Sequence, residues 1–430
     1  MTFPDLKERI RPWYLRGFYF RVFPSRKPDY FDSCWRYPSA PLGHKQLPED
    51  WSGIPGIQPD VLFFPMGDWH SRLQRTQHLA RTLAKRGHRC FYLNPHLGRE
   101  FPGMRGPAAF LTRLEPRVFE IHVRLPLEPV FHHRLLKRSE ATRISEVISS
   151  VADAFGSQRL VQLVAFPVWF DIALDLRTKR KFPVVYDCHD YLPGFEGIAG
   201  DILETEERVF RESDLTICSS DALVARAREH AVPDDRLLLL RNAAAVEDFA
   251  GIARPIGPRH PTVIGYVGAL DSWFDIESVA TAAGRHADWR IELIGRIENL
   301  AVENLRSFSN VHFVGEVPYQ DLPKYLSAFS LAVIPFLNDA LTRATDPIKA
   351  YEYLAAGLPV LSARLPELYR LRDVISFYDN PDDFIRQAES LLATDSPALA
   401  QRRTEVARGE TWSARCEVLA PHLARLIAAG

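Results

Sequence analysis

Residues 345–362 read TDPIKAYEYLAAGLPVLS, a helix that runs straight into a strand. Pro347 suits the first turn of a helix, where its missing N–H costs nothing. Asp346 stands where an N-cap belongs, Gly357 where a left-handed C-terminal turn belongs, and an apolar β-type run at 359–361 follows at once. Helices alternating with buried strands build a doubly wound α/β sheet, whose ligands bind beyond the carboxyl ends of the strands, where the helices begin. The N-terminus of this helix is therefore aimed at the ligand edge, and its N–H groups and dipole suit a phosphate. Lys349 adds a point charge, and Glu352, on the same helix face, offers a carboxylate to ribose hydroxyls. An ordinary amphipathic helix with a weak Lys349–Glu352 surface pair has the same composition, and these residues alone leave both readings open.

Working outward, the same grammar recurs on both sides. From Asp60 the strand expectations are 61–64, 90–93, 119–123, 160–164, 184–186, 215–217 and 237–240, with a first helix over 71–86 ended by Gly87. The proline-rich linker ARPIGPRHP at 253–261 interrupts it. The pattern then restarts with strands expected at 263–267, 291–294, 311–314, 331–334, 359–361 and 374–377. Strands that are apolar throughout and separated by helices predict parallel sheets covered on both faces. The fold class is α/β, with two Rossmann-like, doubly wound parallel-sheet domains facing across a cleft. Four segments follow: an arm over 1–59, an N-terminal domain over 60–250, a C-terminal domain over 251–410 and a final helix over 411–430.

Composition narrows the function. A chain of 430 residues with 46% hydrophobic and 25% charged residues is globular and long enough for two or three domains. Its formal net charge of −1 supplies no field for nucleic acid. No apolar run approaches the ~18–20 residues of a membrane span; the best, 160–170, is broken by Gln162 and Pro167. The opening MTFPDLKERIRPWY places charges where a signal peptide needs an apolar core, so the expected location is the cytoplasm. Cysteines 34, 90, 188, 218 and 416 are odd in number and without a C-x-x-C pair, which reads as reduced thiols and no structural zinc. The arm holds nine of the 32 prolines, and a cluster of aromatic and basic residues through Tyr37. It is read as packing over the main domain, with adsorption to an anionic membrane surface as the alternative.

The run 347–360 resembles the P-x-K-x-x-E-Y-x-A-x-G-x-P-V signature of nucleotide-sugar glycosyltransferases of the GT-B fold, in particular the large retaining family 4. Other segments agree in order: DWHSRLQRTQHLARTLAKRGHRCFYLNP, VVYDCHDY, ESDLTICSSDAL, IGYVGALDSWFD, VHFVGEVPYQDLPKYLSAFSLAVIPF and TWSARCEVL. The resemblance implies a donor site in the C-terminal domain, with the nucleotide diphosphate beside Gly268 and the N-terminus of the 347–356 helix. Carried over by position, Glu352 holds the ribose, Lys349 and Arg296 face the phosphates, and the GEVPY loop offers backbone around Val317 to the base. It also implies a final helix that returns to the N-terminal domain. The sequence departs from the family twice. Ala344 stands where a first glutamate is usual, leaving Asp346 to reach the sugar, and GALDSWFD lacks the customary Arg and Lys.

Residue chemistry adds to that list. A glycine after a strand, such as Gly268, lets backbone approach a ligand closely. In the N-terminal domain Gly67 and Asp68 follow the first strand, which suits acceptor hydroxyls or the transferred sugar. Arg72 and Arg75, read as one helical turn apart, suit an anionic acceptor or a solvated helix face. His189 and Asp190 stand beyond the strand at 184–186 and resemble the family's D-x-H-D segment, which implies a role near the reacting sugar, with Asp187 behind them. Glycosyl transfer releases an anionic nucleotide diphosphate, which fixed positive potential stabilises. With no Asp-x-Asp motif in the sequence, the expectation is a transferase needing no metal and no cofactor, acting on a nucleotide-sugar donor and a glycan or lipid-linked glycan acceptor. A nucleotide-sugar 2-epimerase and a non-catalytic glycan-binding scaffold share this architecture and stay open as alternatives. A nicotinamide dehydrogenase does not fit, because G-x-G-x-x-G follows neither 61–64 nor 263–267.

Overall fold

The computed structural model describes residues 37–42, 47–70, 72–97, 109–127, 129, 132–249, 251–252 and 260–429. Most of the expected arm, Cys34, Ser71 and most of the linker lie outside them. The chain divides into two compact units: residues up to Cys218 with Val224–Leu239 and Cys416 onward, and Ser219–Leu223 with Leu240–Arg415. The second unit begins ahead of the proline-rich linker because Asn242 is tied into it. Its amide donates to Asp346 Oδ2 at 2.7 Å and its Nδ2 to the Asp346 carbonyl at 2.6 Å.

The first unit holds a sheet of β1 (Ser39–Pro41), β2 (Asp60–Phe64), β3 (Cys90–Leu93), β4 (Ala109–Glu115), β5 (Val118–Val123), β6 (Leu160–Val164), β7 (Val184–Cys188), β8 (Leu215–Cys218) and β9 (Leu237–Leu239). Their order is β1-β4-β5-β3-β2-β6-β7-β8-β9. From β5 to β9 every pairing is parallel. The edge corrects the all-parallel expectation, since β4 runs antiparallel to β5 and β1 antiparallel to β4. The reason is the short turn through Pro116 and Arg117, the latter at φ +80°, because a tight connection can only join antiparallel strands. β1 carries Pro41, which an edge strand tolerates. The helix expected over 71–86 is Arg75–Lys85, its entry fixed by Gln77 Oε1, which accepts from the Gln74 amide at 3.2 Å; a single turn, Glu49–Ser52, precedes it.

The second unit holds β10 (Thr262–Val267), β11 (Trp289–Ile294), β12 (Val311–Gly315), β13 (Leu331–Ile334), β14 (Val360–Ala363) and β15 (Ser376–Tyr378), all parallel, in the order β12-β11-β10-β13-β14-β15. This is the doubly wound order of mononucleotide-binding sheets, and its direction of winding switches between β10 and β13. β13 and β14 are buried along their whole length, which is why they read as unbroken apolar runs. Inside β10, Gly265 leaves room for Phe329; a Cβ there would lie 2.0 Å from that ring.

The helix Ile348–Ala355 follows β13 and buries Ala350, Tyr351, Tyr353 and Leu354. It ends as expected at Gly357, φ +71°, whose amide donates to the Leu354 carbonyl at 2.9 Å while the Leu358 amide donates to that of Tyr353 at 3.0 Å. Its start corrects the N-cap expectation: Pro347 occupies the cap position and no side chain caps the helix. Cys90, Cys188, Cys218 and Cys416 are free and buried. Among the described residues no helix is long and apolar enough to cross a membrane.

Candidate functional site

At the switch between β10 and β13 two strand-end glycines lie against each other. Gly268 follows β10 and donates to the Ile294 carbonyl at 2.8 Å; Gly295 follows β11 and donates to the Gly315 carbonyl at 2.8 Å. A Cβ on Gly295 would meet the Gly268 carbonyl oxygen at 1.9 Å, and one on Gly268 would meet Tyr266 Oη at 2.6 Å and Lys349 Nζ at 2.8 Å. The absent side chain of Gly268 therefore makes the room in which Lys349 ends, and that of Gly295 lets the Gly268 backbone lie there. Its ammonium lies 4.9 Å from the Tyr266 ring centre, 4.6 Å from that of Phe336, and 3.4 Å from Tyr266 Oη. Lys349 is half-buried, so its charge sits in a walled recess that solvent still reaches.

Glu352, one helical turn on, is buried, which removes the surface-pair alternative for these two residues. Burial pushes its carboxyl up to about 7, against the opposing pull of the Tyr319 hydroxyl and of Lys349 and with reinforcement from Asp248. Val317, in the same loop as Tyr319, packs partly buried against the unit's core. Arg296 follows Gly295 but is half-exposed and donates through Nε to Glu298 Oε1 at 2.6 Å, so its charge is shared with a carboxylate. Asp346 is buried: Oδ1 accepts from Tyr351 Oη at 2.7 Å and Oδ2 from the Asn242 amide. Burial raises its carboxyl to about 6, opposed by those donors. Both of its oxygens are thus engaged inside the unit, which is why it neither caps the helix nor points as a sugar ligand would.

In the first unit the expected residues gather at the carboxyl ends of β2 and β7. The Gly67 carbonyl accepts from Tyr92 Oη at 2.7 Å, and Asp68 Oδ1 accepts from the His70 amide at 2.7 Å. His96 Nε2 lies 3.6 Å from Asp68 Oδ2. His70 Nε2 lies 2.8 Å from Glu120 Oε2 in the buried interior. Burial would raise the Glu120 carboxyl, but His122 and His70 beside it hold it well below the usual range. Arg72 and Arg75 are not one helical turn apart, because the helix opens only at Arg75. Arg75 is buried and its Nε donates to both oxygens of Asp187, at 2.9 and 3.1 Å. It is therefore a structural ion-pair partner rather than an exposed anion receptor. The same Asp187 lies under His189, whose Nδ1 is 3.0 Å from the Asp187 carbonyl and whose Nε2 is 3.4 Å from Asp190 Oδ2.

The two clusters differ in chemistry. The recess of the second unit presents a cation, glycine backbone and a buried carboxyl, a set that accommodates phosphate and hydroxyl groups. The first unit presents imidazole–carboxylate pairs at strand ends. Among the described residues no group of three or more His, Cys, Asp or Glu side chains could hold a metal ion. Sequence reading missed Gly295, Tyr266 and Phe336. Gly295 was legible as the glycine directly after a strand in LIGR; the two aromatics read as core.

Two mononucleotide-type sheets in one chain, with a phosphate-suited recess at the switch point of the second, define the GT-B class. Residues 261–394 match the family Glycosyl transferases group 1. A protein of Bacillus subtilis strain 168 named for glycosyl transfer in teichuronic acid biosynthesis, TuaH, is 23% identical over 253 residues. That alignment takes in 54% of this chain and 64% of the relative, so the chain spans less than two thirds of that protein's length. Among solved structures, sucrose-phosphate synthase from Thermosynechococcus elongatus superposes with a TM-score of 0.67 at 17% identity, covering 87% of this chain and all of that one (100%). HepE from Anabaena, in complex with UDP and glucose, gives 0.57 at 13% identity, covering 85% and 100%. Residues 261–394 thus carry a domain of that family, in a chain whose fold is shared with these GT-B structures.

Proposed function

We propose that the protein transfers a sugar from a nucleoside diphosphate donor to a glycan or lipid-linked glycan acceptor. The observation that carries this reading is the recess in which Gly268, with Gly295 packed against its carbonyl, makes room for the Lys349 ammonium at the switch point of the second sheet. Breaking the bond between anomeric carbon and phosphate leaves negative charge on the departing diphosphate. A fixed cation in a partly dry recess, with the N-terminus of the helix Ile348–Ala355 behind it, stabilises that charge as it develops. These groups supply positive potential from the chain itself, which supports transfer without a metal. Glu352 in its carboxylate form accepts from the donor's ribose hydroxyls. His189 and Asp190 are assigned to the sugar side of the reaction, and retention of anomeric configuration follows from the family resemblance. UDP in the HepE complex supports a nucleoside diphosphate donor, and the teichuronic acid biosynthesis in TuaH's name supports a glycan acceptor.

The test is direct. Lys349→Ala should lower turnover about a hundredfold or more, the scale of removing one charge-stabilising group, and Glu352→Ala should lower it through lost ribose contacts, with circular dichroism unchanged in both. Near-normal turnover in both would remove the donor site. A panel of nucleotide sugars screened by thermal shift should show one base and sugar raising the unfolding temperature selectively.

A further inference from the structure

Lysine is a flexible way to place a charge, since its four-carbon stem holds many rotamers when nothing confines it. Here the end of the stem is confined. Tyr266, from β10, and Phe336, directly after β13, turn their rings toward the ammonium from the two strands that flank the switch point, at 4.9 and 4.6 Å. Both aromatics are buried and belong to one cluster, Tyr266 packing edge-on against Phe274 at 5.2 Å between ring centres. The Tyr266 hydroxyl adds direction. It spends its single proton on the Ala269 carbonyl at 2.8 Å, which leaves its oxygen to face Lys349 as an acceptor. Ring faces and a hydroxyl oxygen attract a cation while carrying no full charge, so they orient the ammonium without cancelling it. The loop 268–275, GALDSWFD, contains no Arg or Lys, so the accuracy with which Lys349 is placed carries more of the work of meeting a phosphate.

We propose that Tyr266 and Phe336 are positioning residues that hold the Lys349 ammonium at Gly268 for the donor diphosphate; this rests on the donor-site reading above. The experiment titrates UDP, ADP and GDP in turn by calorimetry into the full chain and follows the tightest of them through a variant set. Phe336→Leu should weaken binding roughly three- to tenfold, the range expected for losing one ring face from a partly desolvated cation. Phe336→Trp, which keeps a ring face, should restore it. Tyr266→Phe, which keeps the ring and loses only the oxygen, should weaken binding by a smaller factor. On a Lys349→Met background all three should have no further effect. Equal losses on both backgrounds, or no loss from Phe336→Leu and Tyr266→Phe while Lys349→Met does weaken binding, would overturn the positioning role and leave the donor site standing. Unchanged binding in Lys349→Met itself would overturn the donor-site reading and the cradle with it.

Discussion

Glu352 carries two pH dependences of opposite sign. Burial raises its carboxyl to about 7 in the fold, above the ordinary value of 4.5, with Tyr319 and Lys349 pulling down and Asp248 pushing up. Between those values the folded chain holds a proton that the unfolded chain has released. This contribution to stability is therefore fully present below pH ~4.5 and is lost as pH rises toward 7. Nucleotide binding runs the other way, because a protonated carboxyl is a poorer acceptor for ribose hydroxyls. UDP affinity, if one protonation controls it, should be about tenfold weaker at pH 6 than at pH 8, and Glu352→Gln should flatten that profile while also removing the alkaline loss of stability. Paired calorimetric titrations and thermal melts across pH 5–8 check both slopes. At this scale the sequence marked Lys349 and Glu352 as candidates, because a cation and a carboxylate one turn apart near a helix start suit a phosphate and a ribose, but a surface pair looks the same and the motif resemblance was needed to choose. It hid Tyr266 and Phe336, since an aromatic in an apolar strand looks the same whether it fills a core or faces a cation. It misplaced Asp346 because local capping preference was outweighed by Asn242, distant in sequence, and by Tyr351 of the following helix.

Elements were legible where one physical cause dominates. β13 and β14 are close to their expected bounds because they are buried between helix layers and read as apolar runs. β4, AFLTRLE, was missed because it lies toward the sheet edge, where Arg113 and Glu115 are tolerated and break the run. β1 was missed because Pro38 before it and Pro41 at its end make it resemble an arm. The end of the helix Ile348–Ala355 was readable from Gly357 alone, and that gives an element-scale prediction. With φ at +71° and an added methyl meeting only ordinary contacts, Ala400 O at 3.4 Å and Thr404 Cγ2 at 3.5 Å, Gly357→Ala would suffer backbone strain and little else. The expected loss is about 1–2 kcal/mol, measured by denaturant unfolding. At the opposite end of the first sheet, Arg89 grips Asp60 through Nε and Nη2 at 2.8 and 2.7 Å, both residues buried, and Ser157 Oγ donates to the same carboxylate at 2.5 Å. Arg89→Ala leaves that carboxylate without its cation, and a loss of about 3–5 kcal/mol is expected in the same assay.

At the scale of the whole chain, two separate sheets imply that ligand binding should be felt unequally. The recess is built from residues of Leu240–Arg415 alone, so every group proposed to touch the diphosphate lies in that unit. Binding protects a folded unit from opening by the free energy of saturation, about 2.7 kcal/mol at a hundred times the dissociation constant, or roughly a hundredfold in exchange rate for amides that exchange through that opening. With UDP alone, and no sugar for the first unit to hold, hydrogen exchange should slow at Gly268, Gly295 and the first turn of the helix from Ile348. The amide of Gly268 leads this list because it already donates to the Ile294 carbonyl and borders the Lys349 ammonium. Amides of β2, β6 and β7 should keep their rates. Exchange mass spectrometry with and without UDP reads both units in one measurement. Slowing confined to β2 and β7 would move the nucleotide to the imidazole–carboxylate cluster of Asp68 and His189, and the assignment of donor and acceptor to the two sheets would have to be reversed.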